Sequence, residues 1–204
     1  MLFSDTYKEI STNTKGVYKE KGSKFISYTF VVYNEIEIKS RLQEVKQIEA
    51  GANHFCYAYI LHPDQSTHRC NDDGEPNSTA GRPILKQIKG KGLTNILVVV
   101  VRYFGGVKLG ISGLIRSYKA AASDAISTTE IITKNIKEQY IVSFKYTQMN
   151  NVMRLIKNFH LEVISSDFQM KSNIIFAMRK KDSNKVINAF KQHHEIQIKY
   201  IKTI

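Results

Sequence analysis

The apolar run at positions 96–101 constrains the fold of this 204-residue chain more than any other segment. With its neighbours it makes residues 95–103 rich in β-branched side chains, which favour strands. A strand that is apolar on both faces has to be covered on both faces. Residues 95–103 therefore predict a central strand. The run is also far shorter than the roughly 18 residues of a membrane span, so no membrane association is expected.

The elements around this strand predict a first domain over residues 1–134. A hairpin is expected around Lys21-Gly22-Ser23, because glycine suits a tight turn. Helical spacing of apolar residues indicates a helix at 36–50, and the polar stretch 62–80 indicates a long loop. The remaining predicted elements are a strand at 55–61, a helix within 82–90 that has Pro83 in its first turn, and a helix at 112–126.

Residues 135–204 predict a second domain. Tyr140, Val142 and Phe144 alternate with other residues, which is the period of a strand with one buried face. A helix, two strands, a helix and a final strand are expected to follow, in the β-α-β-β-α-β order of a ferredoxin-like domain. The chain is therefore predicted to be α+β. Residues 128–138, which contain no Pro or Gly, predict a stiff junction between the domains.

The charge of the chain is strongly positive. Thirty Lys and Arg residues against 18 acidic residues give a net charge of +12, which favours a polyanionic partner. Most of these cations are Lys in a chain rich in Ile and Asn, a pattern that nucleotide bias in a genome also produces. The excess is concentrated in residues 134–204. Charge by itself only favours a nucleic-acid partner.

The two cysteines and residues 1–10 indicate the cellular compartment. Cys56 and Cys70 are too few for a disulfide scaffold. Residues 1–10 lack the basic and apolar regions of a secretory signal. A cytoplasmic protein with reduced thiols is therefore expected.

The segment at residues 98–118 combines a buried strand, a glycine-rich loop and the start of a helix. Free N–H groups and the helix dipole at such a turn attract anions. Lys108 and Arg116 near the positive end of the helix cost about 0.3–1 kcal/mol each unless an anion offsets them. The segment has neither a Walker A nor a G-x-G-x-x-G pattern. The alternative is a tight turn whose glycines only relieve backbone strain. The glycines are Gly105, Gly106, Gly110 and Gly113.

The sequence Asn-Asp-Asp-Gly-Glu-Pro-Asn-Ser-Thr-Ala-Gly-Arg-Pro at residues 71–83 holds three carboxylates close together. Metal binding would need further ligands, and neither C-x-x-C nor H-E-x-x-H occurs in the chain. No nucleophile and base are recognisable, and Asp-Gly and Glu-Pro are ordinary turn residues. We therefore predict no catalytic residue, no metal and no cofactor here.

Four ordered motifs resemble the YigZ/IMPACT family. The chain departs from the family pattern at Asn77-Ser78 and at Ile111-Ser112. The motifs are Ser-Lys-Phe-Ile at 23–26, His-Phe-Cys-Tyr-Ala-Tyr at 54–59, Asp-Asp-Gly-Glu-Pro at 72–76 with Thr-Ala-Gly-Arg-Pro at 79–83, and Val-Val-Val-Arg-Tyr-Phe-Gly-Gly-Val-Lys-Leu-Gly at 99–110.

The resemblance implies a fold and a biological setting. In this family the N-terminal domain is similar to domain 2 of ribosomal protein S5. The pair of domains is similar to domains IV and V of elongation factor G. Eukaryotic relatives bind a protein partner in the amino-acid-starvation response and moderate translational control.

The first hypothesis is a non-enzymatic RNA- or ribosome-binding regulator of translation or of a stress response. Tyr103 would offer a ring for stacking. The acidic loop, as we call residues 71–83, would recognise a partner, which could also be a protein, and its carboxylates could pair with Arg82 or Arg102. The predicted anion surface comprises Arg82, Arg102, Tyr103, Gly105, Gly106, Lys108, Gly110, Ser112, Gly113, Arg116 and Lys119, and the predicted recognition loop comprises Asp72, Asp73, Glu75 and Thr79.

The second hypothesis is an enzyme that acts on a phosphorylated or nucleotide small molecule. The glycine loop would hold the phosphate, and Asp72 or Asp73 would bind magnesium. This reading rests on analogy between folds.

Overall fold

The computed structural model describes residues 5–168 and 171–204 and divides into two compact units. One unit is Tyr7–Lys134, and the other is Asn135–Ile204 with Asp5 and Thr6. Helices and strands occur in both, so the predicted α+β class is confirmed. The described elements are β1 (Thr6–Ile10), β2 (Thr14–Glu20), β3 (Ser23–Val31), α1 (Glu35–Ile48), β4 (His54–Leu61), β5 (Thr67–Asn71), α2 (Gly81–Gly90), β6 (Ile96–Tyr103), α3 (Gly110–Ser127), β7 (Ile131–Asn135), β8 (Lys137–Lys145), α4 (Met149–Asn158), β9 (Glu162–Asp167), β10 (Lys171–Arg179), α5 (Ser183–Lys191) and β11 (Gln197–Thr203).

The β-branched segment forms β6, the central strand of the sheet in the first unit. Within residues 5–168 this sheet has the order β2-β3-β6-β4-β5, and every neighbouring pair is antiparallel. Val98 and Val100 pack with residues of α2 and α3, whereas Val99 and Val101 pack with residues of α1. The predicted central strand, covered on both faces, is confirmed.

The polar stretch 62–80 contains a strand that the sequence analysis missed. Thr67–Asn71 forms β5 and pairs antiparallel with β4 at the edge of the sheet. As an edge strand, β5 has a neighbouring strand on one side only, and its residues are half-buried or exposed. They therefore lack the alternation of apolar residues that marks a strand in a sequence. The short strand β1 was missed as well, and it pairs with β7 in the segment expected to be a stiff junction.

The second unit has the predicted order of elements, from β8 and α4 through β9, β10 and α5 to β11. Its described strands form an antiparallel sheet of order β11-β8-β10-β9. Val142, Phe144 and Phe176 are buried in the core together with residues of α4 and α5. Part of the predicted polar connection between β9 and β10 lies outside the described residues. No described helix has the length and apolar character needed to traverse a membrane.

Candidate nucleic-acid interface

The glycine-rich turn connects the end of β6 to the start of α3. Gly105 packs so closely on the turn between β2 and β3 that a Cβ atom there would overlap the backbone of Gly22. Gly106 and Gly110 have φ values of +83° and +69°, in the region that favours glycine. Glycine is therefore required at Gly105 because a Cβ atom would clash with Gly22. It is favoured at Gly106 and Gly110 because their φ angles are positive. Gly113 is buried in α3, where a Cβ would lie 3.1 Å from that of Leu109.

The N-terminus of α3 lies beside exposed cations. Leu109, the residue that precedes the helix, makes no capping hydrogen bond through its side chain, and Ser112 is exposed in the first turn. Lys108 is exposed and makes no ion pair with a described residue. Arg116 forms an ion pair of 2.9 Å with Glu20 at the surface. Among the described residues at the start of α3, Lys108 therefore carries the positive charge that has no ion-pair partner.

Arg102 is buried, which differs from its expected place on the anion surface. Its Nη1 donates a hydrogen bond to Oε1 of Glu75 at 2.7 Å, and the two side chains are 7% and 3% exposed. The hydroxyl of Tyr118 donates to the same oxygen at 2.8 Å. The guanidinium also lies 5.6 Å and 5.5 Å from the ring centres of Phe25 and Phe104. Arg102 points inward because it continues the α2–α3 face of β6, two residues after Val100.

Tyr103 lies on the opposite face of β6, which separates it from the other predicted site residues. Successive residues of a strand point to opposite faces, so Tyr103 points to the side covered by α1. Its hydroxyl donates to Oε2 of Glu49 at 2.7 Å, and the hydroxyl of Tyr28 donates to Oε1. Burial favours a raised pKa for Glu49, but the hydrogen bonds from both tyrosines and Lys15 outweigh it and lower the pKa. Tyr103 therefore belongs to a hydrogen-bonded cluster with Glu49 and Tyr28.

The carboxylates of the acidic loop bind groups of the protein itself. Asp72 accepts hydrogen bonds from the N–H groups of Ser78, Ala80 and Gly81 at 2.8–3.0 Å. It thereby caps α2, because the residue that precedes the helix, Ala80, has no polar side chain. Asp73 accepts from the N–H of Phe55 at 2.7 Å. The predicted recognition loop is thus held by its own acids.

Thr79 of the acidic loop and Cys56 of β4 lie on the buried side of this loop. Thr79 is buried and donates to the carbonyl of Pro76 at 2.6 Å. The thiol of Cys56 contacts the carbonyl of Asp72 at 2.9 Å and the hydroxyl of Tyr118 at 3.3 Å. Burial raises the pKa of both Cys56 and Tyr118, so both groups are protonated at neutral pH. Among the described residues, no group of three or more His, Cys, Asp or Glu is placed to hold a metal ion.

A pocket of about 400 Å³ between α2 and α3 is lined by three basic side chains. Arg82, Lys86 and Lys119 are exposed on it, and they make no ion pair with any described residue. Arg82 and Lys119 belong to the anion surface predicted from the sequence, whereas Lys86 does not. The available signal was its spacing of four residues from Arg82 on a helix, which places both on one face. The pocket is also lined by Ser78, Pro83, Gln87 and Ile115. We call it the cationic pocket.

A second pocket, of about 270 Å³, lies at the start of α3. Its exposed rim includes Phe104 and Ile111, which are 51% and 65% exposed and which the sequence analysis did not select. The only local signal for Phe104 was an aromatic residue directly before a glycine pair. The lining comprises Glu75, Pro76, Arg102, Phe104, Lys108, Leu109, Gly110, Ile111 and Leu114. We call it the apolar pocket.

Comparison with known proteins identifies relatives of this chain. It is 35% identical over 130 residues to IMPACT family member YvyE of Bacillus subtilis, which is 64% of this chain and 60% of that relative. It is 31% identical over 172 residues to an IMPACT family member of Haemophilus influenzae, which is 83% of this chain and 82% of that relative. A crystal structure of a hypothetical protein superposes with a TM-score of 0.77 at 26% identity, covering 98% of this chain and 99% of that one.

The family assignment rests on the N-terminal part of the chain. Residues 21–126 match the Impact N-terminal domain, and this match contains the glycine turn, the acidic loop and both pockets. It spans more than half of the chain, and the similarity to the relative from H. influenzae covers 83% of the chain. The chain therefore belongs to the IMPACT family.

Proposed function

We propose that this protein binds RNA or the ribosome and regulates translation or a stress response without catalysing a reaction. Membership of the IMPACT family and the net charge of +12 support this reading. Under this proposal, residues 1–134 would be similar to domain 2 of ribosomal protein S5, and residues 135–204 would be a ferredoxin-like domain similar to domain V of elongation factor G.

The observation that carries the proposal is the cationic pocket. Arg82 and Lys86 on α2 converge there with Lys119 on α3, and no carboxylate belongs to the described lining. Like charges held close together repel each other, and a bound phosphate removes this repulsion. Each lysine or arginine that neutralises a phosphate also releases condensed counterions, which drives binding at low salt.

The proposed phosphate-binding surface differs from the one expected from sequence. It consists of the cationic pocket and of Lys108 at the start of α3, with Ser112 and Arg116 at its margin. Arg102 and Tyr103 are left out because Arg102 is buried in an ion pair with Glu75 and the hydroxyl of Tyr103 donates to Glu49. The glycines of the turn serve to position α3, because they permit the close approach of the turn and its positive φ angles.

The test measures binding of a labelled 20-nucleotide single-stranded RNA, and cosedimentation with ribosomes, across a range of salt concentrations. In the variant Lys86→Glu/Lys119→Glu we expect the affinity for RNA to fall at least about tenfold at low salt. The matched control is Lys39→Glu/Lys46→Glu, which makes the same charge change at exposed positions of α1, on the other face of the sheet.

Two outcomes would contradict the proposal. One is a wild-type protein that binds neither the RNA nor ribosomes at low salt. The other is an equal loss of affinity in both double variants, because binding would then follow net charge and would not use the cationic pocket.

A further inference from the structure

The two pockets are lined by different residues of the same two elements, the acidic loop and α3. Glu75 and Pro76 of the acidic loop line the apolar pocket, and Ser78 of the same loop lines the cationic pocket. On the other side, Ile111 of α3 lines the apolar pocket and Ile115 lines the cationic pocket. The pockets are therefore neighbouring parts of one groove between this loop and α3.

The separation of the pockets suits two parts of one nucleotide chain. Ile111 and Ile115 are four residues apart, so they lie on the same face of α3 and about 6 Å apart along its axis. A base is joined to its phosphates through a single sugar, and this linkage spans such a distance. A phosphate held at the cationic pocket would therefore bring a base of the same strand to the apolar pocket.

The chemistry of the apolar pocket fits a flat, partly polar group. Phe104, Leu109, Ile111 and Leu114 supply apolar surface, and the ring of Phe104 is half exposed. The guanidinium of Arg102 lies 5.5 Å from the centre of that ring, which holds the ring through a cation–π contact. Stacking on such a ring does not depend on base identity, since every base has a π-face.

Glu75 supplies a hydrogen-bond acceptor to this pocket. Its Oε1 accepts both of the hydrogen bonds from Arg102 and Tyr118. No described residue donates a hydrogen bond to Oε2, so this oxygen can accept one from an N–H group on the edge of a base. Lys108 also lines this pocket and would place a positive charge next to a sugar-phosphate chain bound there.

We propose that the apolar pocket binds one unstacked base of single-stranded RNA, with Phe104 as the stacking ring, while the cationic pocket holds a phosphate of the same strand. This inference rests on the proposed function, because it requires that the protein bind RNA. It assigns to Phe104 the stacking role that the sequence analysis gave to Tyr103.

The experiment compares a labelled 12-nucleotide single-stranded RNA with inorganic polyphosphate, which has the charges but no bases. Phe104→Ala should weaken RNA binding by roughly 5- to 140-fold. The slope of affinity against salt should stay unchanged, because no phosphate contact is lost. The affinity for polyphosphate, measured by competition, should also stay unchanged. Phe104→Tyr, which keeps a ring, should bind RNA like the wild type.

Two controls separate stacking from general damage. Phe104→Leu keeps apolar volume without a ring and should lose RNA affinity as Phe104→Ala does. Phe168→Ala removes a phenylalanine of nearly equal exposure, 53%, from the other unit and should leave RNA affinity unchanged.

The outcomes distinguish the failure of this inference from the failure of the proposed function. If the wild type binds RNA and Phe104→Ala binds it equally well, the base pocket is wrong while RNA binding stands. If Phe104→Ala loses RNA and polyphosphate to the same extent, the ring acts through the cationic pocket, and the base pocket is again wrong. If the wild type binds no RNA, the proposed function itself fails.

Discussion

Arg102 and Glu75 form a buried ion pair that joins β6 to the acidic loop. Their charged atoms are 2.7 Å apart, and Tyr118 from α3 donates to the same carboxylate. The pair therefore ties a strand, a loop and a helix together beneath the apolar pocket. A buried charge is tolerated only when it is paired and hydrogen-bonded, so each partner depends on the other.

Removing one partner of this pair should destabilise the protein strongly. We expect Glu75→Gln to lower the free energy of unfolding by about 3–5 kcal/mol, because the guanidinium of Arg102 is left buried without a counter-charge. The double variant Glu75→Gln/Arg102→Met should recover part of this loss. Urea denaturation followed by circular dichroism measures both changes.

The exposed pair of Arg116 with Glu20 provides the control for this prediction. Arg116→Met should change stability by about 0–1 kcal/mol, since the arginine side chain is 65% exposed and water screens the interaction. Similar losses in Glu75→Gln and Arg116→Met would contradict the assignment of a buried, mutually dependent pair.

Asp72 should stabilise the acidic loop and the start of α2. Asp72→Ala removes the acceptor of three backbone N–H groups, and we expect a loss of roughly 1–3 kcal/mol in the free energy of unfolding. Asp64→Ala is the comparison, because Asp64 accepts a hydrogen bond from the N–H of Ser66 in a short turn. Equal urea midpoints for the two variants would show that Asp72 does not cap the helix.

Gly105 should tolerate no side chain. Gly105→Ala places a methyl group against the backbone of Gly22, and the resulting displacement of the turn should cost roughly 1–3 kcal/mol or more. In Gly90→Ala the new methyl group meets no atom within 4 Å, so we expect a change between zero and about 1 kcal/mol of stabilisation. Thermal unfolding of the two variants checks the contrast, and a neutral Gly105→Ala would refute the close approach.

Glu49 should contribute stability that depends on pH. Its pKa in the folded protein is lowered below the ordinary value of 4.5, since the hydrogen bonds from Tyr28, Tyr103 and Lys15 outweigh burial. The unfolded chain therefore takes up a proton more readily. The stabilisation is fully present above pH 4.5 and is lost as the pH falls through the folded pKa.

The variant Glu49→Gln isolates this contribution. We expect it to be less stable than the wild type at pH 7 by about 1–3 kcal/mol, because the hydroxyls of Tyr28 and Tyr103 lose a charged acceptor. The difference between the two proteins should shrink as the pH is lowered below 4.5. A difference that stays constant between pH 7 and pH 3 would rule out a lowered pKa for Glu49.

The sequence by itself determined the elements with strong local patterns and the family. The β-branched segment predicts β6, and the alternation and helical spacing after residue 139 predict the elements of the second unit. Such patterns are readable because the period of side-chain direction is a property of each local backbone conformation. The four motifs likewise identify the family without any contact being known.

The tertiary structure decided which side chains meet. The strand period separates Arg102 from Tyr103, but only packing shows that one meets Glu75 and the other meets Glu49. Likewise, Lys86 and Lys119 share a pocket because α2 packs beside α3. Contacts between residues far apart in the chain depend on how whole elements pack, and no local period encodes that arrangement.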